Sequence, residues 1–378
     1  MLVFFIHGVA TRDIKYADPL KESIKQEFTL KNRPLPHFYS SFWGNALSDV
    51  SKMWNCLHQD FQDIKTNYPQ SHPDDVFRYR QYREGFLSEF MGDFFTYLNP
   101  ERGLAIRKTI AQQLLDFIHE FPQETELHIV AHSLGTVILW DMLFANRWNS
   151  DDPAFLVRSL FQQQARLKLQ SITTMASPIV FINTLLGIPL KEIQAFISSS
   201  IQGSLSWLNL LHSSDIIAYP LKNTLAPCFS KKFSCQDIYL LGDANLAEKT
   251  ARSLGQMEAA MALGLVDAHQ SYLTDRQTAR LISNHLLAED SLVYQVINRL
   301  YKIRGMTPDR KQPDRAEQVS LKLKDGSGTV YWSVNHFQVY QVAVLDSQDN
   351  CHFSGYVGWL DGALFKEEMN FIKTHFSH

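Results

Sequence analysis

A lone serine, Ser133, lies in the sequence AHSLG, between an apolar run at 127–130 and a second apolar stretch from Thr136 to Phe144. The first run predicts a short buried strand, and the second has the spacing of a helix. A serine on such a turn, with small residues two positions before and after it, is typical of a nucleophile elbow that exposes the hydroxyl above a sheet edge. Ala131 stands where glycine is usual, a small departure. We predict Ser133 as a nucleophile; an ordinary strand–helix connection is the alternative.

A serine hydroxyl attacks a carbonyl when a base takes its proton and an acid orients that base. After an elbow of this type, the acid precedes the histidine along the chain. In LLHSSDIIAYPL, Asp215 follows a predicted strand and is the candidate acid, with Asp243 and then Asp267 as its rivals. In LVDAHQSYLTD, His269 is the candidate base, on a predicted loop. The less suited histidines lie before the acid, inside a predicted helix or near the C-terminus: His212, His285, His336, His352, His375 and His378.

The oxyanion that forms during such an attack needs two backbone N–H donors. The amide of Leu134, the first residue of the predicted helix, would supply one of them. The second donor is expected from Val9 in FFIHGVATRD, at a sharp turn after the first predicted strand. A His-Gly pair ends many ordinary strands and is a weak signal by itself. It indicates an oxyanion donor here because a predicted nucleophile elbow follows later in the chain. The residues predicted to support the two turns are His7, Gly8, His132 and Gly135.

Strand-like and helix-like segments alternate along most of the chain, which predicts a mostly parallel sheet with helices on both faces. The predicted helices include one at 18–28, with Asp18 as its cap and Pro19 at its first position. Ser133, Asp215 and His269 would then converge at one edge of the sheet. The other predicted helices are 104–121 and 274–287, and the predicted strands are 2–6, 37–43, 127–131, 169–175, 205–211 and 237–241.

Two segments interrupt this alternation and suggest a domain plan of 1–305, 306–318 and 319–378. Residues 44–103 are rich in aromatic side chains and predict a helical insertion, either a helical pair filling a small core of its own or a cap over a pocket. Residues 306–318 are charged, contain two prolines and predict a linker. The remainder, 319–378, predicts a small β-rich C-terminal module closed by a helix.

Composition narrows the class of protein. The chain has 378 residues, 45% of them hydrophobic, and a net charge of −3, which argues against a nucleic-acid partner. Four scattered cysteines without metal-ligand spacing favour a reducing, cytoplasmic location. The apolar residues 1–6 lack a basic segment and predict a strand rather than a signal peptide, and no transmembrane helix is expected. The sequence predicts no metal site and no cofactor.

These motifs resemble the α/β-hydrolase superfamily, within its lipase and serine-esterase branch. VFFIHGVATRD, LHIVAHSLGTVI and LLHSSDIIAYPL are most similar to serine esterases related to the glycosylphosphatidylinositol inositol deacylases. The last of them also resembles intracellular phospholipases of the DDHD type, with Asn209 and His212 before the acid. The resemblance covers roughly residues 1–300 and implies an α/β-hydrolase fold, a cofactor-free mechanism and acyl-ester substrates.

We therefore expect a serine ester hydrolase that forms an acyl-enzyme, with a lipid or another hydrophobic acyl ester as substrate. Lipase, phospholipase, carboxylesterase and protein depalmitoylase activities all fit, and peripheral contact with a membrane stays open, as does the oligomeric state. Two alternatives are kept: an amidase or peptidase with the same three residues, and a non-catalytic binding or signalling protein with a hydrolase-type fold.

Overall fold

Two separate β-sheets organise the chain. The computed structural model describes residues 1–8, 11, 13–44, 50–70, 88–147, 149–163, 166–230, 232–287, 292–308, 319–324, 328–346 and 351–377. The first sheet has six strands, all parallel, and the second has five antiparallel strands. The predicted α/β architecture with a mostly parallel sheet is confirmed, as is a separate C-terminal sheet.

The parallel sheet has the strand order β2-β1-β3-β4-β5-β6. All six predicted strands form, although the second ends two residues early and the sixth begins four residues early. Their bounds are β1 Leu2–Ile6, β2 His37–Ser41, β3 Glu126–His132, β4 Lys168–Met175, β5 Leu205–His212 and β6 Phe233–Leu240. Because parallel strands end at the same edge, the loops after β1, β3, β5 and β6 meet there.

Helices cover both faces of this sheet. The prediction that Asp18 caps the first helix is wrong: Ala17 is the cap, and Asp18 is a helical residue whose carboxylate pairs with Lys21 at 2.6 Å. The helices are α1 Asp18–Leu30, α2 Val50–Asn67, α3 Ser88–Leu98, α4 Pro100–Glu120, α5 Leu134–Phe144, α6 Pro153–Gln163, α7 Ile179–Leu186, α8 Leu190–Ser200, α9 Lys222–Leu225, α10 Leu246–Ser253, α11 Met257–Ser271 and α12 Arg276–Leu286.

The side chains of each strand alternate between two apolar cores. On β1, Leu2, Phe4 and Ile6 enter the core that also contains α4, α5 and α8. Val3 and Phe5 enter the opposite core, beneath α1 and α12. Burial on both faces explains why these strands are continuously apolar instead of alternating with polar residues. The sheet therefore provides a rigid platform for the groups at its carboxyl edge.

The aromatic insertion is tied to the main core through α3. Phe94 and Tyr97 are buried within the core that contains α5, so the expectation that the insertion fills only a core of its own is wrong for these two rings. The Tyr97 hydroxyl donates to the Asp141 carboxylate on α5 at 2.6 Å. Residues 45–49 and 71–87 of the predicted insertion lie outside the described residues.

The second sheet forms a unit with its own core. It has the order β7-β11-β10-β9-β8. Its core includes Val293, Val296 and Ile303, all of which precede the predicted domain boundary at 306. Strand β7 lies inside the predicted linker 306–318. Residues 309–318 of that linker lie outside the described residues. The elements are α13 Leu292–Leu300, β7 Thr307–Pro308, β8 Val319–Lys322, β9 Gly328–Val334, β10 Tyr340–Asp346, β11 Cys351–Val357 and α14 Gly362–His375.

In the part of the chain that the structure describes, no single helix is both long and apolar enough to cross a membrane. Helices α7 and α8, which are bent relative to each other, reach that length and apolar composition only when the two are counted together.

Buried histidines connect helices and strands below the sheet edge. His285 on α12 bonds Thr173 on β4 and Ser206 on β5, each at 2.9 Å. Burial lowers the pKa of His285 from 6.5 to about 4, and it lowers that of His128 on β3 to about 3. These imidazoles are therefore neutral in the folded protein at neutral pH.

We predict that His285 lowers the free energy of unfolding as the pH falls. Below pH 6.5 the unfolded chain protonates this side chain while the folded chain does so only near pH 4, so stability is highest above 6.5 and declines between the two values. When the pH is lowered from 7.5 to 5, the free energy of unfolding should fall by about 2 kcal/mol less in His285→Gln than in the wild type. Urea denaturation at both pH values measures it, with exposed His119→Gln as control. Equal pH dependence in the two variants would contradict the prediction.

Candidate active site

The backbone of Ser133 has a conformation that few residues adopt. Its φ is 53° and its ψ is −127°, directly between β3 and α5. This strained region is sparsely populated by residues other than glycine and is the conformation expected of a nucleophile elbow. The Ser133 N–H donates to the Met175 carbonyl on β4 at 2.9 Å, and Thr136 Oγ1 donates to the Ser133 carbonyl at 2.7 Å. Hydrogen bonds from both sides thus hold the strained turn.

Two glycines allow the first strand to approach this turn. A Cβ atom on Gly8 would overlap the Ser133 side chain and come within 2.9 Å of the His132 carbonyl oxygen. A Cβ atom on Gly135 would lie 2.5 Å from the His7 carbonyl oxygen and 2.6 Å from that of Ile6. These distances are too short for a carbon atom against backbone. The predicted supporting role of Gly8 and Gly135 therefore has a steric basis.

The three predicted side chains meet at the carboxyl edge of the sheet. His269 Nε2 lies 2.7 Å from Ser133 Oγ, and His269 Nδ1 lies 3.1 and 3.2 Å from the two Asp215 carboxylate oxygens. Because a carboxylate can only accept, Nδ1 carries the proton and Nε2 accepts from the serine hydroxyl. In this tautomer Nε2 is the atom that faces the serine hydroxyl as an acceptor for its proton.

Asp215 is held as a buried carboxylate. Burial by itself raises the pKa of Asp215, but hydrogen bonding and charge from His269, the Ile217 amide and the Tyr272 hydroxyl together bring it below its ordinary value. The Ile217 N–H donates to Asp215 Oδ1 at 3.1 Å, and the Tyr272 hydroxyl lies 3.1 Å from Oδ2. The negative charge beside His269 is therefore retained at neutral pH.

His269 lies in a helix, so its predicted position on a loop is wrong. It occupies the last turn of α11, where helical phase rather than loop geometry sets its direction. His132 Nε2 donates to the His269 carbonyl oxygen at 2.8 Å. Burial and the nearby His269 lower the pKa of His132 to about 3, so His132 stays neutral and acts here as a hydrogen-bond donor. The residue before the serine thus fixes the backbone of the candidate base.

The turn after β1 is also fixed. The Trp43 N–H donates to His7 Nε2 at 3.1 Å, and the His7 ring stacks on the Trp43 ring at 4.4 Å between centroids. His7 Nδ1 then donates to the Gly8 carbonyl oxygen at 2.7 Å. At the elbow, Leu134 is the first residue of α5. The N–H of a first helical residue has no acceptor within its own helix. Val9, the other predicted oxyanion donor, lies outside the described residues.

The rival acids have other partners. Asp243 pairs with Arg252 on α10 at 3.0 Å, and Asp267 accepts from the Asn245 side chain at 2.7 Å. Among these three aspartates, Asp215 is the one whose carboxylate hydrogen-bonds to His269. The alternative histidine His285 is bound to strands below the edge, and His212 Nδ1 accepts from the Ser214 amide at 3.2 Å. The geometry therefore groups the residues that chain order favoured.

The site is closed in this structure. Ser133 is 0% exposed, and His269 and Asp215 are each 5% exposed, whereas an elbow predicts an exposed hydroxyl. A substrate carbonyl reaches Ser133 Oγ only after neighbouring groups move. A separate cavity of about 880 Å³ lies between β6, α12 and the C-terminal unit, with walls that include Asn284 and Gln295. Ser133, Asp215 and His269 do not line that cavity.

Within the described ranges, no group of three or more His, Cys, Asp or Glu residues is arranged to hold a metal ion. No protein-family model and no curated protein matches this chain. The functional assignment therefore depends on the geometry of the site itself.

Three residues of the site escaped the sequence interpretation. Tyr272 contacts the acid, Trp43 fixes His7, and Thr136 holds the serine carbonyl. Tyr272 had a usable signal, because it follows His269 by three residues and so shares its helical face. Trp43 had no such signal, because its contact depends on the pairing of β2 with β1.

We predict that Gly8→Ala disrupts the approach of the two turns. The added methyl group would overlap Ser133 and the His132 carbonyl, so the free energy of unfolding should fall by about 1–3 kcal/mol. Urea denaturation measures this change. Gly203→Ala is the matched control, because a Cβ atom there meets nothing within 4 Å. Equal stability of the two variants would show that the close approach at Gly8 is wrong.

Proposed function

We propose that the chain is a serine ester hydrolase of the α/β-hydrolase type that acts through an acyl-enzyme. The observation that supports it best is the hydrogen-bonded series from Ser133 through His269 to Asp215, which starts from a strained elbow. A packing role alone gives no reason for a buried serine, imidazole and carboxylate to be aligned in this order. Nucleophile, base and orienting acid need this order.

In the first half of the reaction, Ser133 Oγ attacks the ester carbonyl carbon while its proton passes to His269 Nε2. Asp215 stabilises the resulting imidazolium, and backbone donors that include the Leu134 N–H bind the oxyanion. As the tetrahedral intermediate collapses, the bond to the alcohol oxygen breaks. His269 gives its proton to that oxygen, so the alcohol leaves and the acyl group remains on Ser133.

In the second half, a water molecule loses a proton to His269 Nε2 and attacks the acyl carbonyl. Collapse of the second tetrahedral intermediate breaks the bond to Ser133 Oγ, which recovers the proton from His269. The carboxylic acid is released and the starting hydrogen-bonded series is restored. Because proton transfer requires neutral His269 before each attack, the rate should decline at acidic pH.

The parallel sheet supports the proposed fold assignment. The serine follows β3, the acid follows β5 and the histidine follows β6, all beyond the carboxyl edge of one sheet. The helix after the serine packs against the sheet with every residue buried. Reactive groups at this edge are the rule for open α/β sheets.

Exposed apolar side chains next to the acid and on the last turns of the helix of His269 support a hydrophobic acyl ester as substrate. Ile216, which directly follows Asp215, is 50% exposed, and Val266, three residues before His269 on α11, is 36% exposed. Exposed apolar surface favours apolar ligands and contact with a lipid surface. We also propose a cytoplasmic location, because all four cysteines are free thiols.

The test compares hydrolysis of p-nitrophenyl esters of increasing acyl length by the wild type and Ser133→Ala. Loss of the nucleophile should reduce kcat by about 10⁶-fold. Ser253→Ala is the matched control, since the hydroxyl of that exposed serine donates to the Thr250 carbonyl within α10, away from the three candidate residues in the chain. We expect kcat/KM to rise with acyl length in the wild type and the control.

Three outcomes would contradict parts of this proposal. Equal hydrolysis by wild type and Ser133→Ala would remove Ser133 as nucleophile. Absence of hydrolysis by folded wild type, together with no reaction with a fluorophosphonate, would favour a binding protein. Faster hydrolysis of the matching anilides than of the esters would make the chain an amidase. Repeating the assay with phosphatidylcholine vesicles tests the proposed lipid contact.

A further inference from the structure

Tyr272 lies three residues after His269, at the end of α11, and its side chain is fully buried. Its ring contacts the His132 ring at 5.9 Å and the His212 ring at 6.4 Å between centroids. These contacts place the phenol between the elbow, the end of β5 and the acid. Its hydroxyl is therefore within reach of the groups that orient the imidazole.

The direction of the Tyr272 hydroxyl is fixed by its neighbours. The His212 backbone N–H donates to the Tyr272 oxygen at 2.6 Å, and the Ala176 backbone is a second partner of that oxygen. A backbone N–H can only donate, so the hydroxyl accepts from it and keeps its own proton for another acceptor. That acceptor is Asp215 Oδ2, at 3.1 Å.

The Asp215 carboxylate is consequently held at both oxygens. Oδ1 accepts from the Ile217 N–H at 3.1 Å, Oδ2 accepts from Tyr272, and His269 Nδ1 lies at similar distances from the two. His269 is the group that the carboxylate has to orient, so the fixed partners of the carboxylate are the Ile217 amide at Oδ1 and the Tyr272 hydroxyl at Oδ2. A fixed partner at each oxygen opposes rotation about the Cβ–Cγ bond more strongly than a single one at Oδ1.

We propose that Tyr272 is a positioning residue that holds Asp215 in the plane of the His269 imidazole and takes up part of its negative charge. The catalytic consequence rests on the proposed function, whereas the effect on the imidazole does not. A hydrogen bond from a phenol withdraws charge from the carboxylate, so its removal leaves more negative charge facing His269.

Two measurable effects follow from this role. Without the hydroxyl, the more strongly charged Asp215 stabilises the imidazolium of His269, which then titrates at higher pH. The freed carboxylate also orients the imidazole less well, which slows proton transfer without altering substrate contacts. The other titratable groups among the described residues that act on the histidines of this cluster are His7, Asp243, Glu248 and Asp275, together with His132 and His212 themselves, and the substitution changes none of them.

The experiment compares wild type with Tyr272→Phe, which keeps the ring and removes only the hydroxyl. Tyr301→Phe is the matched control, because its hydroxyl bonds the Gln277 side chain on α12 instead of the Asp215 carboxylate. The His269 titration is followed by NMR of labelled histidine, assigned with His269→Gln. The pH profile of ester hydrolysis is measured on the same three proteins.

We expect Tyr272→Phe to move the His269 titration, and the acidic limb of kcat/KM, up by roughly 0.5 pH unit. We also expect kcat to fall about tenfold with KM within about twofold of wild type. An unchanged titration in Tyr272→Phe, or an equal shift in Tyr301→Phe, would overturn the inference. If the titration moves while wild type hydrolyses no ester, the proposed function fails and the positioning role stands.

Discussion

The strained backbone of Ser133 is the constraint on which the rest of the site depends. With φ at 53°, the serine side chain leaves the strand in a direction that regular β or helical geometry does not allow. Such strain persists only when the surroundings determine it fully. Here the surroundings are the Met175 carbonyl on β4, the Thr136 hydroxyl on α5 and the turn after β1, which approaches through Gly8.

His269 and Asp215, the proposed base and acid, are fixed to the same framework by neutral hydrogen-bond donors. His132, the neighbour of the serine, holds the carbonyl of His269, and Tyr272 holds the carboxylate of Asp215. Burial keeps His132 neutral by lowering its pKa to about 3, so it adds no competing charge beside the imidazole. The carboxylate of Asp215 therefore supplies the main charge that acts on His269.

Local patterns predicted the strands, the elbow and the chain order of the three candidate catalytic residues. Each depends on spacing within about ten residues or on chain order, which a sequence displays directly. The helical setting of His269 was missed because α11 is apolar on its exposed face as well as its buried face, which hides the usual helical period. The contacts of Trp43 and Tyr272 depend on strand pairing and helix packing, and no short-range pattern predicts those.

The central claim is that the Ser133 oxygen is unusually reactive because His269 accepts its proton. The most direct measurement is to inactivate the folded protein with one equivalent of a fluorophosphonate and locate the adduct by peptide mass spectrometry. The account predicts one phosphonyl group, on the peptide that contains Ser133, and its loss in His269→Gln. An adduct on another serine, or undiminished modification of Ser133 in His269→Gln, would contradict it.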